Sequence, residues 1–303
     1  MYVLVVGASG VLGRETVRRL RAQGHRVRGM TRRPEAAREL EGLGAEPVQG
    51  DLTDPASLAR ACAGVERVLA AAHGLLGKDR NDSAAIDDAG HRALIDAARN
   101  AGVARFVYTS AHGAAADHPI EFLRTKWALE QYLARSGMDY AILRPTAFME
   151  WHAHEFNGKA LLAKGRTVVL GRGTKPRNFV AARDVAAFAV KCLTEDALPE
   201  RILTIGGPGN FTNDEVTALY AAAAGIAPRA THLSPRLLSI LARVITPLHA
   251  GIGRVMTLSA LPDDAFCETF DAATLVRDDG VALTPLEAFV RERVDERRAA
   301  SPR

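Results

Sequence analysis

A chain of 303 residues, 48% hydrophobic and 24% charged, is long enough to bury a core without disulfide or metal staples. Its net charge of +4 comes from scattered arginines, and aromatics make up only 6%, so the clustered basic and aromatic surface of a nucleic-acid binder is missing. Cys62, Cys192 and Cys267 are odd in number, far apart and without metal-ligand spacing, which predicts reduced thiols and a cytoplasmic setting.

Tyr2, Val3, Leu4, Val5 and Val6 form a short, β-branched apolar run and predict a strand buried on both faces. The chain opens directly into it, so no cleavable leader is expected. Gly7, Ala8, Ser9, Gly10, Val11, Leu12 and Gly13 follow, and a helical pattern begins with Val11, Leu12, Thr16, Val17 and Leu20 on one face. A strand, a glycine turn and a helix start make a phosphate site. Gly7 permits the tight turn, Gly10 lets a diphosphate approach bare backbone, and Gly13 lets the helix pack close to the sheet. Residues 7–12 are therefore candidate dinucleotide ligands.

Residues 25–30 read as a second strand, followed by Thr31, Arg32, Arg33 and Pro34. The acidic residue that would hold the 2′-hydroxyl of NAD is absent here. Two guanidinium groups stand in its place, which favours NADP(H) over NAD(H), unless the pair is merely a surface feature. A helix over 34–43 and a short strand over 45–50 precede Asp51 and Leu52. Asp54 suits an N-cap and Pro55 the first helical position. Asp51 either faces the adenine end of a coenzyme or caps its own turn.

The fourth strand, 65–72, ends in small residues up to Ala72, then His73. Both are candidate coenzyme neighbours, His73 also a proton donor, although a polar loop histidine is the commoner finding. A polar loop is expected over 78–83 and a helix over 85–101, with Ile86, Leu94, Ile95 and Ala98 inward. The fifth strand, 103–110, brings Thr109, Ser110 and His112 to its exit. A helix over 122–133 carries Lys126, and the sixth strand, from 138, exits through Pro145 and Thr146. Strands alternating with helices predict an α/β, doubly wound, mostly parallel Rossmann sheet.

In the second half, residues 167–170 suggest a short strand and 171–177 a basic, glycine-containing loop that either closes over ligand or is a surface turn. A helix is expected over 184–193 and a last core strand over 201–207. Thr212 to Glu215 and Thr284 to Glu287 have capping-box spacing. The apolar region 237–258 is too interrupted to span a bilayer. It suits a substrate cover first and an interaction surface second. Trp151, His152, His154, Glu155 and Phe156 are candidate pocket residues. Their spacing is not that of a helical zinc pair, so no metal site is expected. The tail, 291–303, is charged and expected to be solvated or frayed.

The glycine turn, Thr31 to Pro34, Gly50 to Leu52, Phe106 to Ser110, Lys126 with its helix, and Leu143 to Thr146 together resemble the atypical short-chain dehydrogenase/reductase superfamily, in its NmrA-like, NAD(P)H-binding branch. The resemblance covers most of residues 2–148 and continues thinly through 178–186. It implies an NAD(P)-binding domain over 1–150. It also implies a smaller, mostly helical, substrate-covering part over 151–303, with 178–207 returning to the core sheet. Fuller members use a Ser, a Tyr and a Lys. The Tyr lies four residues before the Lys and donates a proton, while the Lys holds the nicotinamide ribose. Lys126 matches the Lys, Phe122 stands at the Tyr position, and the Ser position falls at Ala111, or at Ser110 with a one-residue slip. Without the hydroxyl acid, hydride transfer to an easily polarised quinone, enone or imine-like acceptor is expected, with protonation by water, His73 or His112. The alternative is a non-catalytic NADP(H)-binding sensor or assembly factor with a protein partner. A sugar-nucleotide epimerase ranks third. A small-molecule substrate is expected, a homodimer is admitted, and neither nucleic acid nor a transmembrane segment is expected.

Overall fold

The structure is a computed structural model that describes residues 1–75, 83–197, 201–261, 269–271, 273, 275 and 280–300. Cys267, residues 78–82 of the expected loop and the last three residues of the tail lie outside the described residues.

In chain order the first elements are β1 (Tyr2–Val6), α1 (Val11–Ala22), β2 (Arg26–Thr31), α2 (Pro34–Gly42), β3 (Glu46–Gln49), α3 (Pro55–Cys62) and β4 (Arg67–Ala70). A π-helical stretch, Ala84–Gly90, runs into α4 (His91–Asn100), and then come β5 (Arg105–Thr109), α5 (Glu121–Ala134) and β6 (Asp139–Pro145). Next are β7 (Ala147–Phe148), a second π-helical stretch (Met149–Gly158), α6 (Lys159–Lys164), β8 (Thr167–Leu170) and β9 (Arg177–Val180). They are followed by α7 (Ala182–Thr194), β10 (Ile202–Ile205), β11 (Asn210–Phe211), α8 (Asn213–Ala224), β12 (Ala230–Leu233), α9 (Pro235–Ile245) and α10 (Ala250–Ser259). The helix Leu286–Ala300 comes last.

The chain divides into two compact units, Met1–Arg144 with Val185–Thr204, and Pro145–Asp184 with Ile205–Arg303. The first unit is built on a seven-stranded sheet in the order β10-β6-β5-β4-β1-β2-β3. The pairs β1–β2, β1–β4, β2–β3, β4–β5 and β5–β6 are all parallel. This is the doubly wound Rossmann order, with its switch point between β1 and β4. Every residue of β1 is buried. Leu4 and Val6 pack with Leu58, Leu94 and Leu129 from helices on one face, and Val3 and Val5 turn to the other by strand alternation. Asp54 caps α3 by accepting the Ala56 N–H, and Pro55 fills the first turn.

The expected helix over 85–101 is present, but it opens as a π-helix. Asp87, Gly90 and His91 join Ile86 and Leu94 on its buried face. A Cβ at Gly90 would stand 2.8 Å from the Leu52 side chain, so glycine lets this wider turn press against the neighbouring loop.

In the second unit β11, β9 and β7 form a three-stranded sheet and β12 pairs β8 in a two-stranded one. The strand expected over 167–170 therefore lies outside the central sheet. Its core gathers Met149, Phe179, Tyr220, Phe289 and Val290. Thr212 and Glu215 form a complete capping box at the start of α8. The Thr284 hydroxyl instead donates to Asp184 and accepts from Arg183, and the helix after it still begins at Leu286. The tail expected to be solvated or frayed is exposed over 295–300 yet helical to Ala300. Leu286, Phe289, Val290 and Val294 form a buried stripe at helical spacing, and that stripe outweighs the charges between them.

Candidate functional site

Parallel strands place the exits of β1, β2, β4 and β5 on one edge of the sheet, and three groups of side chains collect there. The first is the turn after β1. Gly7 has φ +82°, and a Cβ on it would lie 2.8 Å from the Ala72 nitrogen, so the exit of β4 crowds the turn. The Gly10 N–H donates to the Gly7 carbonyl at 2.9 Å. A Cβ at Gly13 would fall 2.2 Å from that same carbonyl oxygen. Ala8 and Leu12 are buried, while Ser9 and Val11 are half-buried. No side chain caps α1 and no acid occupies its first turn, so its leading N–H groups and positive dipole end stay open to an anion.

The second group is a cleft of about 710 Å³ lined by Arg32, Arg33, Arg60, Asp51, Asp54 and Ser57, among others. The Thr31 hydroxyl accepts the Arg33 N–H at 3.2 Å and shapes the turn that presents the arginines. The Asp51 carboxylate accepts the Thr53 N–H and hydroxyl, both at 2.9 Å, and so caps its own turn. Leu52 is buried. Three guanidinium groups line this cleft beside the two carboxylates. Arg60 was not among the candidates from sequence, since an arginine on an exposed helix face carries no signal of its own.

The third group centres on Lys126, which is only 2% exposed. Its ammonium lies 3.4 Å from Asp87 and 3.4 Å from the Thr109 carbonyl. It stands 5.1 Å from the ring centre of Tyr108 and 5.2 Å from that of Phe122. Asp87 also accepts the Gly74 N–H at 3.0 Å and the Ser83 hydroxyl at 2.7 Å. It thereby ties the exit of β4, next to His73, to the lysine. Burial pushes Asp87 upward, but Lys126, His91, Ser83 and His73 outweigh it and hold the carboxyl below its ordinary value. His73 is exposed by area yet crowded by protein. That crowding lowers its pKa; Asp87 opposes the shift and Lys126 adds to it. His112 is lowered by burial and then by Arg144. The hydroxyls of Thr109 and Tyr108 are buried without a hydrogen-bond partner among the described residues. Asp87 escaped the sequence reading. Its signal was an acid at i, with His91, Leu94 and Ala98 at i+4, i+7 and i+11, a polar residue at a core position of the helix.

Ser110 belongs to a different network. Its hydroxyl donates to buried Glu130, which also receives Arg144 in a two-pronged pair. Pro145 and Thr146 fall in the second unit, where the Thr146 hydroxyl donates to Asn178 at 2.8 Å. There too His154 contacts the Tyr220 hydroxyl, and Glu155 pairs with Lys159. Trp151 and Phe156 are exposed and lie near one another.

An open helix N-terminus on a glycine turn, an arginine-lined cleft at the exit of β2 and an orphaned buried hydroxyl at the exit of β5 fit a dinucleotide laid along this edge. A family model described as NAD(P)H-binding matches residues 7–196. The chain belongs to that NAD(P)H-binding family. It falls among the atypical, NmrA-like short-chain dehydrogenases/reductases. NAD(P)H azoreductase of Xenophilus azovorans is 34% identical over 224 residues, 74% of each chain. Photosystem II assembly factor Ycf39 of Guillardia theta is 29% identical over 78% of this chain and 75% of its own. The structure of the NADPH-dependent quinone oxidoreductase QOR2 of Escherichia coli, complexed with NADPH, shares the fold with a TM-score of 0.76. It is 22% identical, covering 98% of this chain and 99% of that one. No helix among the described residues is long and apolar enough to cross a membrane.

Proposed function

We propose that the protein is an NADPH-dependent reductase of a small conjugated acceptor, a quinone, an enone or an azo compound. The observation that carries this reading is Lys126, buried and oriented by Asp87 beside the exits of β4 and β5, with Phe122 where a hydroxyl acid would stand. Bound coenzyme would supply the hydride. Residues 7–13 would seat the diphosphate on backbone amides, Arg32 and Arg33 would clasp the 2′-phosphate, and Lys126 would hold the nicotinamide ribose. Thr109 has an unspent hydroxyl on the same edge. An acceptor whose reduced form is delocalised needs no strong acid, so water suffices for protonation, and the downward shift of His73 by burial counts against it as the donor. The azoreductase relative, whose name gives such an acceptor, supports the substrate class.

The test is NADPH oxidation across a panel of quinones, enones and azo dyes, with deuterium-labelled NADPH to follow the hydride. Turnover with label in the product is expected, and Arg32→Ala should weaken NADPH far more than NADH. Equal loss for both coenzymes would remove the 2′-phosphate assignment. The second reading, an NADP(H)-responsive assembly factor, is favoured by the missing hydroxyl at Phe122 and Ala111 and by the named role of the Ycf39 relative. It predicts coenzyme binding that changes affinity for a protein partner with no label transferred.

A further inference from the structure

We propose that the helix pair α9–α10 is a peripheral docking face for an anionic lipid surface. Helix α9 carries more apolar surface than its own unit covers. Leu238 and Ala242 are buried, whereas Ile240 and Val244 on the helix and Leu248 just after it are 59%, 63% and 77% exposed; Leu237 on the helix and Ile252 on α10 are exposed too. At about 100° per residue, Leu237, Ile240, Leu241 and Val244 share one sector, and Arg236 and Arg243 border it on the side away from Leu238 and Ala242. The two helices are closely joined. His249 caps α10, and α10 presses on Thr246 through Gly253, where a Cβ would fall 2.1 Å from the threonine hydroxyl.

Charge selects the occupant. Between Glu215 and Asp263 the chain has no acidic residue but carries Arg229, Arg236, Arg243 and Arg254. Arg236 and Arg243 enter no ion pair among the described residues. A second copy seated on this stripe about a two-fold axis would bring like charges together, with no acid on the segment to neutralise them. The exposed residues are aliphatic, whereas protein hot spots favour Trp and Tyr, with Leu and Val under-represented. An apolar stripe bordered by arginine is the pattern of a helix lying in the plane of an interface, with its side chains among the acyl chains and its guanidinium groups at the phosphates.

The full chain is sedimented with vesicles of phosphatidylcholine alone and with vesicles containing roughly one-quarter phosphatidylglycerol. Binding to the anionic vesicles is expected, falling as salt rises. Ile240→Asp with Val244→Asp should weaken it more than about tenfold, by denying two side chains their burial. Arg236→Gln and Arg243→Gln should each cost about fivefold on anionic vesicles. All four positions are exposed, and circular dichroism and melting should match the parent. Absence of binding, equal binding to both vesicle types, or retention in the double aspartate variant would overturn the proposal. So would a dimer by light scattering that the aspartates disperse, since that gives the face to a second copy.

Discussion

Asp87 shows how one side chain organises a site it was not expected to share. Its carboxylate is fully buried and joins Lys126, the Ser83 hydroxyl and the Gly74 amide. Removing one partner of a buried pair leaves the other charge uncompensated. Asp87→Asn and Lys126→Met are therefore each expected to destabilise by about 3 kcal/mol, and the double variant by less than their sum. Urea titrations of the four proteins test this; strict additivity would show that the two groups do not interact. His91 offers a pH test of the same neighbourhood. Its Nδ1 faces the Ile86 carbonyl at 2.6 Å, and burial lowers its pKa to about 4, with Lys126 adding to the shift. Between pH 6.5 and 4 the unfolded chain binds a proton that the folded chain refuses, so stability must fall as pH falls through that window. The loss is about 3 kcal/mol in all. Unfolding at about pH 7 and about pH 4.5 should show a smaller drop in His91→Phe than in the parent.

At the scale of elements, the turn between β1 and α1 has no slack. A Cβ at Gly13 would meet three backbone atoms, the Gly7 oxygen at 2.2 Å, the Ala8 Cα at 2.7 Å and the Gly7 carbonyl carbon at 2.9 Å, and none can rotate away. Gly13→Ala is expected to cost about 1–3 kcal/mol and to lose coenzyme binding, because the helix must lift off the turn that aims its amides. Gly42 is the contrast. It ends α2 in open space, where an added methyl group would find nothing within 4 Å, so Gly42→Ala should be neutral or stabilise by up to about 1 kcal/mol. Isothermal titration and chemical denaturation of both variants separate a geometric turn from a merely glycine-rich one.

For the molecule as a whole, coenzyme binding must appear as stability. NADPH at about 100 times its dissociation constant should add about 2.7 kcal/mol, and melting curves should show the shift in the parent but not in Gly13→Ala. The sequence by itself determined the Rossmann sheet and the glycine turn. Those features rest on local periodicity and on neighbours in the chain: the apolar run from Tyr2 to Val6, the glycines at 7, 10 and 13, and the cap at Asp54. It also carried the stripe Leu286, Phe289, Val290 and Val294, which runs among charges into the tail, 291–303, that reads as solvated or frayed. Tertiary structure alone decided that Asp87 meets Lys126 across 39 residues, and that Ser110 serves Glu130 and Arg144. It alone decided that Arg60 lines the cleft with Arg32 and Arg33. Charge pairing depends on distance in space, and a linear pattern records only distance along the chain.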